Sequence, residues 1–204
     1  MPNERTIPSD APKTVATFTI LSNGTAVSKA FHVLSVVVNK EVNRLPSATI
    51  ILLDGEASQQ TFHISSQPDF EPGKEIEIKA GYRSDEETIY KGIVIKHSIK
   101  VRKKNSVLVI ECRDKAVKMT VTCNSRYFKD VKDSDIMEEL IDHYGMDKQV
   151  TATSLQHQQM VQYNCTDWDF MLSRCDASGL LCITNDNKIT IDKPQFSGNP
   201  ALTI

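Results

Sequence analysis

The 204 residues carry 26 acidic and 24 basic side chains, a net charge of −2, with 40% apolar and 25% charged residues. That balance is ordinary for a globular protein and offers no overall attraction to nucleic acid or an anionic membrane. A chain of this length buries roughly 70% of its unfolded surface, in one large domain or two small ones. The longest apolar runs, Val36 to Val38 and Ile50 to Leu53, are far too short to span a bilayer. Met1 to Lys13 is polar, holds Pro2, Pro8 and Pro12, and lacks the apolar core of an export signal. It reads as a flexible leader (1–13) on a chain synthesised in the cytoplasm without a signal peptide. Five cysteines, an odd number lying between positions 112 and 182, do not make a disulfide framework.

From Thr14 to about Thr122 the pattern is nearly all strand. Val15 to Ile20 is a first strand, turned at Ser22-Asn23-Gly24 because Asn-Gly supplies the positive φ angles of a tight hairpin. Phe31 to Val38 is β-branched and apolar on both faces, which suits a central strand. Asn39 to Pro46 is a polar connection, and Ala48 to Leu53 a further strand stopped at Asp54-Gly55. After the turn Phe70-Glu71-Pro72-Gly73, Ile76, Ile78, Ala80 and Tyr82 alternate with Glu75, Glu77, Lys79 and Gly81, a period of two with one wet face. Arg83 to Glu87 is a charged loop, Thr88 to Lys96 the returning arm, and Gly92 in that arm predicts a bulge or bend. Val107 to Cys112 and Val117 to Val121 are two more strands, with Lys103-Lys104-Asn105 as a turn. Short antiparallel strands with frequent turns predict a β-barrel over 14–122.

The composition then shifts toward an α+β unit over 123–193. Lys132-Asp133-Ser134-Asp135 leads a helix at about 134–144 whose apolar face is Ile136, Met137, Leu140, Ile141 and Tyr144, closed by Gly145. Gln149 to Gln162 has no dominant period; a strand at each end with a loop between is one reading. A second helix at about 167–177 has Thr166 as N-cap, Asp169 as its capping partner and Gly179 as its left-handed stop. Trp168, Met171, Leu172 and Cys175 share one face of it. A hairpin over 180–192 turns at Asn185-Asp186-Asn187, and 194–204 is a linker or the start of a continuation. The fold class is therefore mainly β with α+β.

Chemistry is scarce in this pattern. Asp167 and Asp169 flank the single tryptophan, but residues two apart on a helix diverge by about 200°, so they read as first-turn acids favoured by the helix dipole. Cys165, Cys175 and Cys182 lack zinc-ligand spacing, and the last two sit where buried thiols belong. The histidines at 32, 63, 97, 143 and 157 are scattered, and neither a GxSxG elbow nor a phosphate-cradling glycine loop occurs. The basic stretch Lys96, Lys100, Arg102, Lys103 and Lys104, with His97, lacks the interleaved aromatics of a nucleic-acid surface and reads as a solvated hairpin. Sequons at Asn23-Gly24-Thr25 and Asn164-Cys165-Thr166 have no export signal behind them. No catalytic, cofactor or metal residue is assigned.

Two motifs in a fixed order carry a resemblance. One is Phe70-Glu71-Pro72-Gly73-Lys74-Glu75-Ile76-Glu77-Ile78-Lys79-Ala80-Gly81-Tyr82 with Tyr90-Lys91-Gly92-Ile93-Val94. The other is Val161-Gln162-Tyr163-Asn164 with Thr166-Asp167-Trp168-Asp169-Phe170, reached through Asp133-Ser134-Asp135-Ile136 and Tyr144-Gly145. Over residues 14–193 the chain resembles the N-terminal hub region of VgrG, the spike of type VI secretion systems, and the hubs of phage tails and related contractile injection machines. Unlike full-length spikes it shows no OB-fold and no β-helical needle, and Cys165 stands where the family commonly has a polar residue. The resemblance implies a non-enzymatic homotrimer on an Hcp-like tube ring protein, with baseplate proteins and effector cargo as partners and no nucleic acid. It also implies barrels partly built from chain-distant segments, and delivery outside the cell by contraction. Two alternatives stay open: the hub of a phage-tail-like particle with cell-wall hydrolase activity, and a free-standing ligand-binding β-barrel.

Overall fold

The computed structural model describes residues 16–55, 61–82, 85–101 and 106–196. The expected leader at 1–13, Arg83 of the charged loop, the Lys103-Lys104-Asn105 turn and the last eight residues of the expected linker lie outside the described residues.

Seven strands form one antiparallel sheet: β1 (Ala16–Ser22), β2 (Thr25–Ala26), β3 (Val33–Asn39), β4 (Ser47–Leu53), β5 (Glu75–Tyr82), β6 (Asp85–Lys100) and β7 (Val107–Arg113). Their order is β2-β1-β5-β6-β7-β4-β3. Alternate residues of the central strands point inward, so Ile50, Leu52, Ile76, Ile78, Tyr90, Leu108 and Ile110 are all essentially inaccessible to solvent. The alternation expected to continue to Tyr82 stops short: a register shift after Ile78 bends the strand away, and Tyr82 stands exposed. Two further shifts, between Val33 and Ser35 and between Val94 and Lys96, add to the curl. The curl brings β1 and β3 to opposite walls of one cavity, yet the two strands are not hydrogen-bonded to each other. The barrel outline is thus present with an open seam.

Gly92 is not the expected bulge. It pairs regularly with Ile76, and its hydrogen makes room for two neighbours. A Cβ there would lie 2.3 Å from the Tyr90 hydroxyl and 2.4 Å from the Arg113 carbonyl. The segment expected as a strand at Val117 to Val121 is a 3-10 turn over Lys115–Thr120 instead. Asp114 caps it by accepting the Ala116 N–H, and Ala116 and Met119, three apart, go into the core together.

The α+β unit comprises β8 (Cys123–Lys132), α1 (Asp133–His143), β9 (Asp147–Val150), β10 (Gln156–Thr166), α2 (Asp167–Ser178), β11 (Leu181–Asn185) and β12 (Lys188–Asp192). β8 and β10 form a long two-stranded ribbon, and β11-β12-β9 a small mixed sheet in which β9 runs parallel to β12. Both helices fill the space between: Met137, Leu140, Ile141, Trp168, Phe170, Met171 and Cys175 are buried, and the Phe128 and Phe170 rings stack at 6.0 Å. α1 begins one residue earlier than expected, with the Asp135 carboxylate accepting the Lys132 N–H. Tyr144 lies just past its end.

The two cores are stitched by a reciprocal joint. Asn43 gives its N–H to the Cys182 carbonyl and takes the Cys182 N–H on its side-chain oxygen, each at 2.8 Å. Asp114 accepts the Asn187 N–H at 2.9 Å, and the Asn187 side chain accepts the Lys115 N–H at 3.1 Å. Asn43 and Asn187 both hold positive φ, 59° and 69°, which asparagine tolerates better than most residues.

The close approach at Gly92 predicts that Gly92→Ala costs about 1–3 kcal/mol. Tyr90→Phe is expected to change stability by less than about 0.5 kcal/mol or to raise it, because the buried Tyr90 hydroxyl has no hydrogen-bond partner among the described residues. Urea unfolding of both variants checks this pair of outcomes.

Candidate functional site

The box around Trp168 is where buried polar groups converge. Thr166 caps α2 as expected, its hydroxyl oxygen accepting the Asp169 N–H at 3.1 Å. The Asp169 carboxylate takes the Thr166 hydroxyl proton at 2.6 Å rather than the Thr166 backbone N–H of a standard capping box. Gly179 closes the helix at φ 64°, with the Leu180 N–H reaching back to the Cys175 carbonyl.

Asp167 lies in the first turn of α2 as expected, and it does more than favour the helix dipole. Its side chain is fully inaccessible and accepts from four side chains, two on β8, one on β10 and one at the end of α1. Oδ1 takes Asn124 Nδ2 at 2.9 Å and Gln162 Nε2 at 2.7 Å; Oδ2 takes Tyr144 Oη at 2.9 Å and Arg126 Nη2 at 3.2 Å. Burial alone would raise the carboxyl pKa, but the Gln162, Asn124 and Tyr144 donors and the Arg126 charge outweigh it and hold it below its ordinary value. Burial, then the Asp167 carboxylate, pushes the Tyr144 phenol up, so it stays a donor. A carboxylate with its lone pairs engaged and no solvent access has no route to a substrate proton. The arrangement is a clamp that ties the ribbon to α2 and to the end of α1.

The remaining candidates do not assemble into reaction geometry. Ser178 donates to Asp133 Oδ2 at 3.0 Å, and His157 Nε2 lies 3.1 Å from the same oxygen. A hydrolytic triad instead places the serine on the imidazole. His97 lies 3.2 Å from the Phe70 carbonyl, His143 stands edge-on to Tyr144, and His32 is exposed. Cys112, Cys175 and Cys182 are buried, and burial pushes each thiol up to about 12. Lys96 pairs with Glu111 at 3.0 Å, while Arg102, Lys103 and Lys104 lie outside the described residues. Among the described residues no group of three or more His, Cys, Asp and Glu is placed to hold a metal ion.

The seam is the other notable feature. A cavity of about 300 Å³ separates β1 from β3, walled by Phe18, Val33, Leu34, Val36, Ile78 and Ile89. A second, of about 390 Å³, reaches inward beside it to Ile20, Leu52 and Phe70. β3 reads Val-Leu-Ser-Val-Val-Val-Asn, without one charge, and is a terminal strand of the sheet among the described residues, with Leu34 and Val37 half exposed. Natural edge strands usually carry charge or proline to prevent pairing, and β3 has neither.

This combination, a large curled antiparallel sheet joined to a small α+β unit, is the fold of phage-tail and type VI spike proteins. The 43 kDa tail protein of prophage MuSo2 from Shewanella oneidensis superposes with a TM-score of 0.67 at 10% identity, over 87% of this chain and 53% of that one. A tail protein from Neisseria meningitidis MC58 gives 0.67 at 13% identity, over 91% and 53%. The E. coli c3393 protein, described as a type VI secretion component structurally similar to the T4 bacteriophage tail proteins gp27 and gp5, gives 0.65 at 10% identity, over 84% and 48%. The chain thus spans about half the length of these proteins. The family profile described as the Alg8 N-terminal domain matches residues 12–204, and the chain belongs to that family. No curated protein sequence matches it.

Asp167→Asn puts an amide among four donors and is expected to cost about 3 kcal/mol at neutral pH. Because the native carboxyl is depressed, its contribution is present above the ordinary carboxylate pKa of about 4 and is lost as pH falls through the lower native value. Urea midpoints measured from pH 7 to pH 2 should therefore fall more steeply for the wild type than for Asp167→Asn. Trp168→Ala, which empties a core position, is expected to cost about 3–5 kcal/mol in the same assay.

Proposed function

We propose that this chain is the structural hub portion of a trimeric VgrG-like spike, which caps the tube of a type VI secretion or related contractile injection apparatus and helps puncture target envelopes. The observation that carries the reading is the fold shared with tail and spike proteins over more than four-fifths of the chain. The role is mechanical and not enzymatic: the conspicuous carboxylates serve as acceptors inside the protein, and the two cores are joined by paired hydrogen bonds that keep them in one orientation. Three copies form the ring, an Hcp-like tube protein and baseplate proteins are its neighbours, and cargo travels with it. In this reading the protein is made in the cytoplasm and leaves the cell by contraction.

In this reading the seam is where a chain-distant strand completes the barrel. An extended segment between β1 and β3 would satisfy the free backbone groups of both edges and cover the apolar cavity behind them. The test uses the protein at its natural length and measures mass by light scattering. A trimer is expected, and a monomer that persists at high concentration contradicts the hub. Leu34→Lys with Val37→Lys, at two half-exposed positions, should leave the 204-residue chain within about 1 kcal/mol of wild-type stability while blocking that assembly.

A further inference from the structure

Beside the stitched joint, the sheet and the α+β unit are parted by a cleft of about 400 Å³. Its walls come from both units: Arg113 and Ser47 from the end of the sheet, Glu41 and Arg44 from the β3–β4 connection, Thr120 from the 3-10 turn and Trp168 from α2. Ser47 and Arg113 face each other across the β4–β7 ladder, so both side chains leave the same face of the sheet. Arg113 is exposed and makes no ion pair among the described residues. Among the described residues Arg44 pairs with Glu41 at 3.3 Å, and the pair is open to solvent, so it exchanges readily for another carboxylate. The indole of Trp168 is only 6% exposed and gives the cleft one apolar wall.

We propose that this cleft docks a sparsely acidic peptide segment of a partner protein, one carboxylate pairing with Arg113 and a second exchanging onto Arg44. The guanidinium fork suits a planar carboxylate, and Ser47 and Thr120 lie on the same walls, the Thr120 hydroxyl donating to the Val117 carbonyl and keeping its lone pairs for a backbone N–H. Glu41 decides against a densely charged polyanion, because it lies in the same cleft and would repel closely spaced phosphates. A peptide with separated acids avoids that repulsion. The inference stands on the cleft itself and holds whether or not the chain assembles as a hub.

Trp168 is the only tryptophan and forms one wall of this cleft, so its emission is the probe, with the melt checking that the core behind it is unchanged. The 204-residue chain is titrated at low salt with a capped hexapeptide of alternating Glu and Ala. The same peptide with Gln or Lys in place of Glu, and inorganic tripolyphosphate, are titrated in parallel. A saturable change in emission is expected with the Glu peptide and not with the Gln or Lys forms. Arg113→Gln should weaken binding about tenfold, and Arg44→Ala less, with the circular-dichroism melt of both variants unchanged. The proposal is overturned by the absence of saturable change up to millimolar peptide, by equal binding of the Gln peptide, by undiminished binding to Arg113→Gln, or by tighter binding of tripolyphosphate.

Discussion

A carboxylate sealed from water must find donors inside the protein, and meeting that requirement for Asp167 organises half of this structure. A buried ionised group costs several kcal/mol unless its lone pairs are filled. Asn124 and Arg126 supply two donors from β8, Gln162 one from β10 and Tyr144 one from the end of α1. Arg126 and Gln162 are themselves cross-strand partners, so the same clamp fixes the register of the ribbon. Phe128 and Met160, the next pair on the same face of the ribbon, are thereby turned onto the helices, where Phe128 stacks on Phe170.

The second unit of organisation is the joint. A two-core protein whose parts met only through apolar contact would slide, because such contact has no direction. The bonds between Asn43 and Cys182 and between Asp114, Lys115 and Asn187 are directional and come in reciprocal pairs. They place the β11–β12 turn against the end of the sheet, and Lys40 reaches across to Asn185 and Asp186 to reinforce it. The seam between β1 and β3 differs in kind, since no hydrogen bond joins these two strands and neither carries a charged residue.

What could be read from the chain was the local part. Thr166, Gly179 and the buried face of Trp168, Met171 and Cys175 follow from rules that span one helix, and the Ile76 and Ile78 alternation from rules that span one strand. The role of Asp167 could not be read that way, because three of its four donors lie 23 to 43 residues distant. Those donors also hid β8: the inward positions Asn124 and Arg126 are polar, so the strand lacks the apolar period that marks one. A polar residue recurring at every second position before Phe128 was the available clue. Val117 to Val121 misled for the opposite reason, being β-branched and apolar at its ends while Asp114 capped a 3-10 turn through it. The seam was invisible because strand order is a long-range property that neither composition nor period encodes.

The central claim is that the Trp168 box is a clamp holding the ribbon on the helices. Amide hydrogen exchange of Asp167→Asn, read residue by residue against the wild type, tests it most directly. The account predicts that amides of Tyr127, Phe128 and Val161 lose protection by about a hundredfold while those of Ile50 and Ile110 in the sheet keep theirs. Equal protection of the ribbon in both proteins, or a uniform loss that leaves ribbon and sheet indistinguishable, would contradict it.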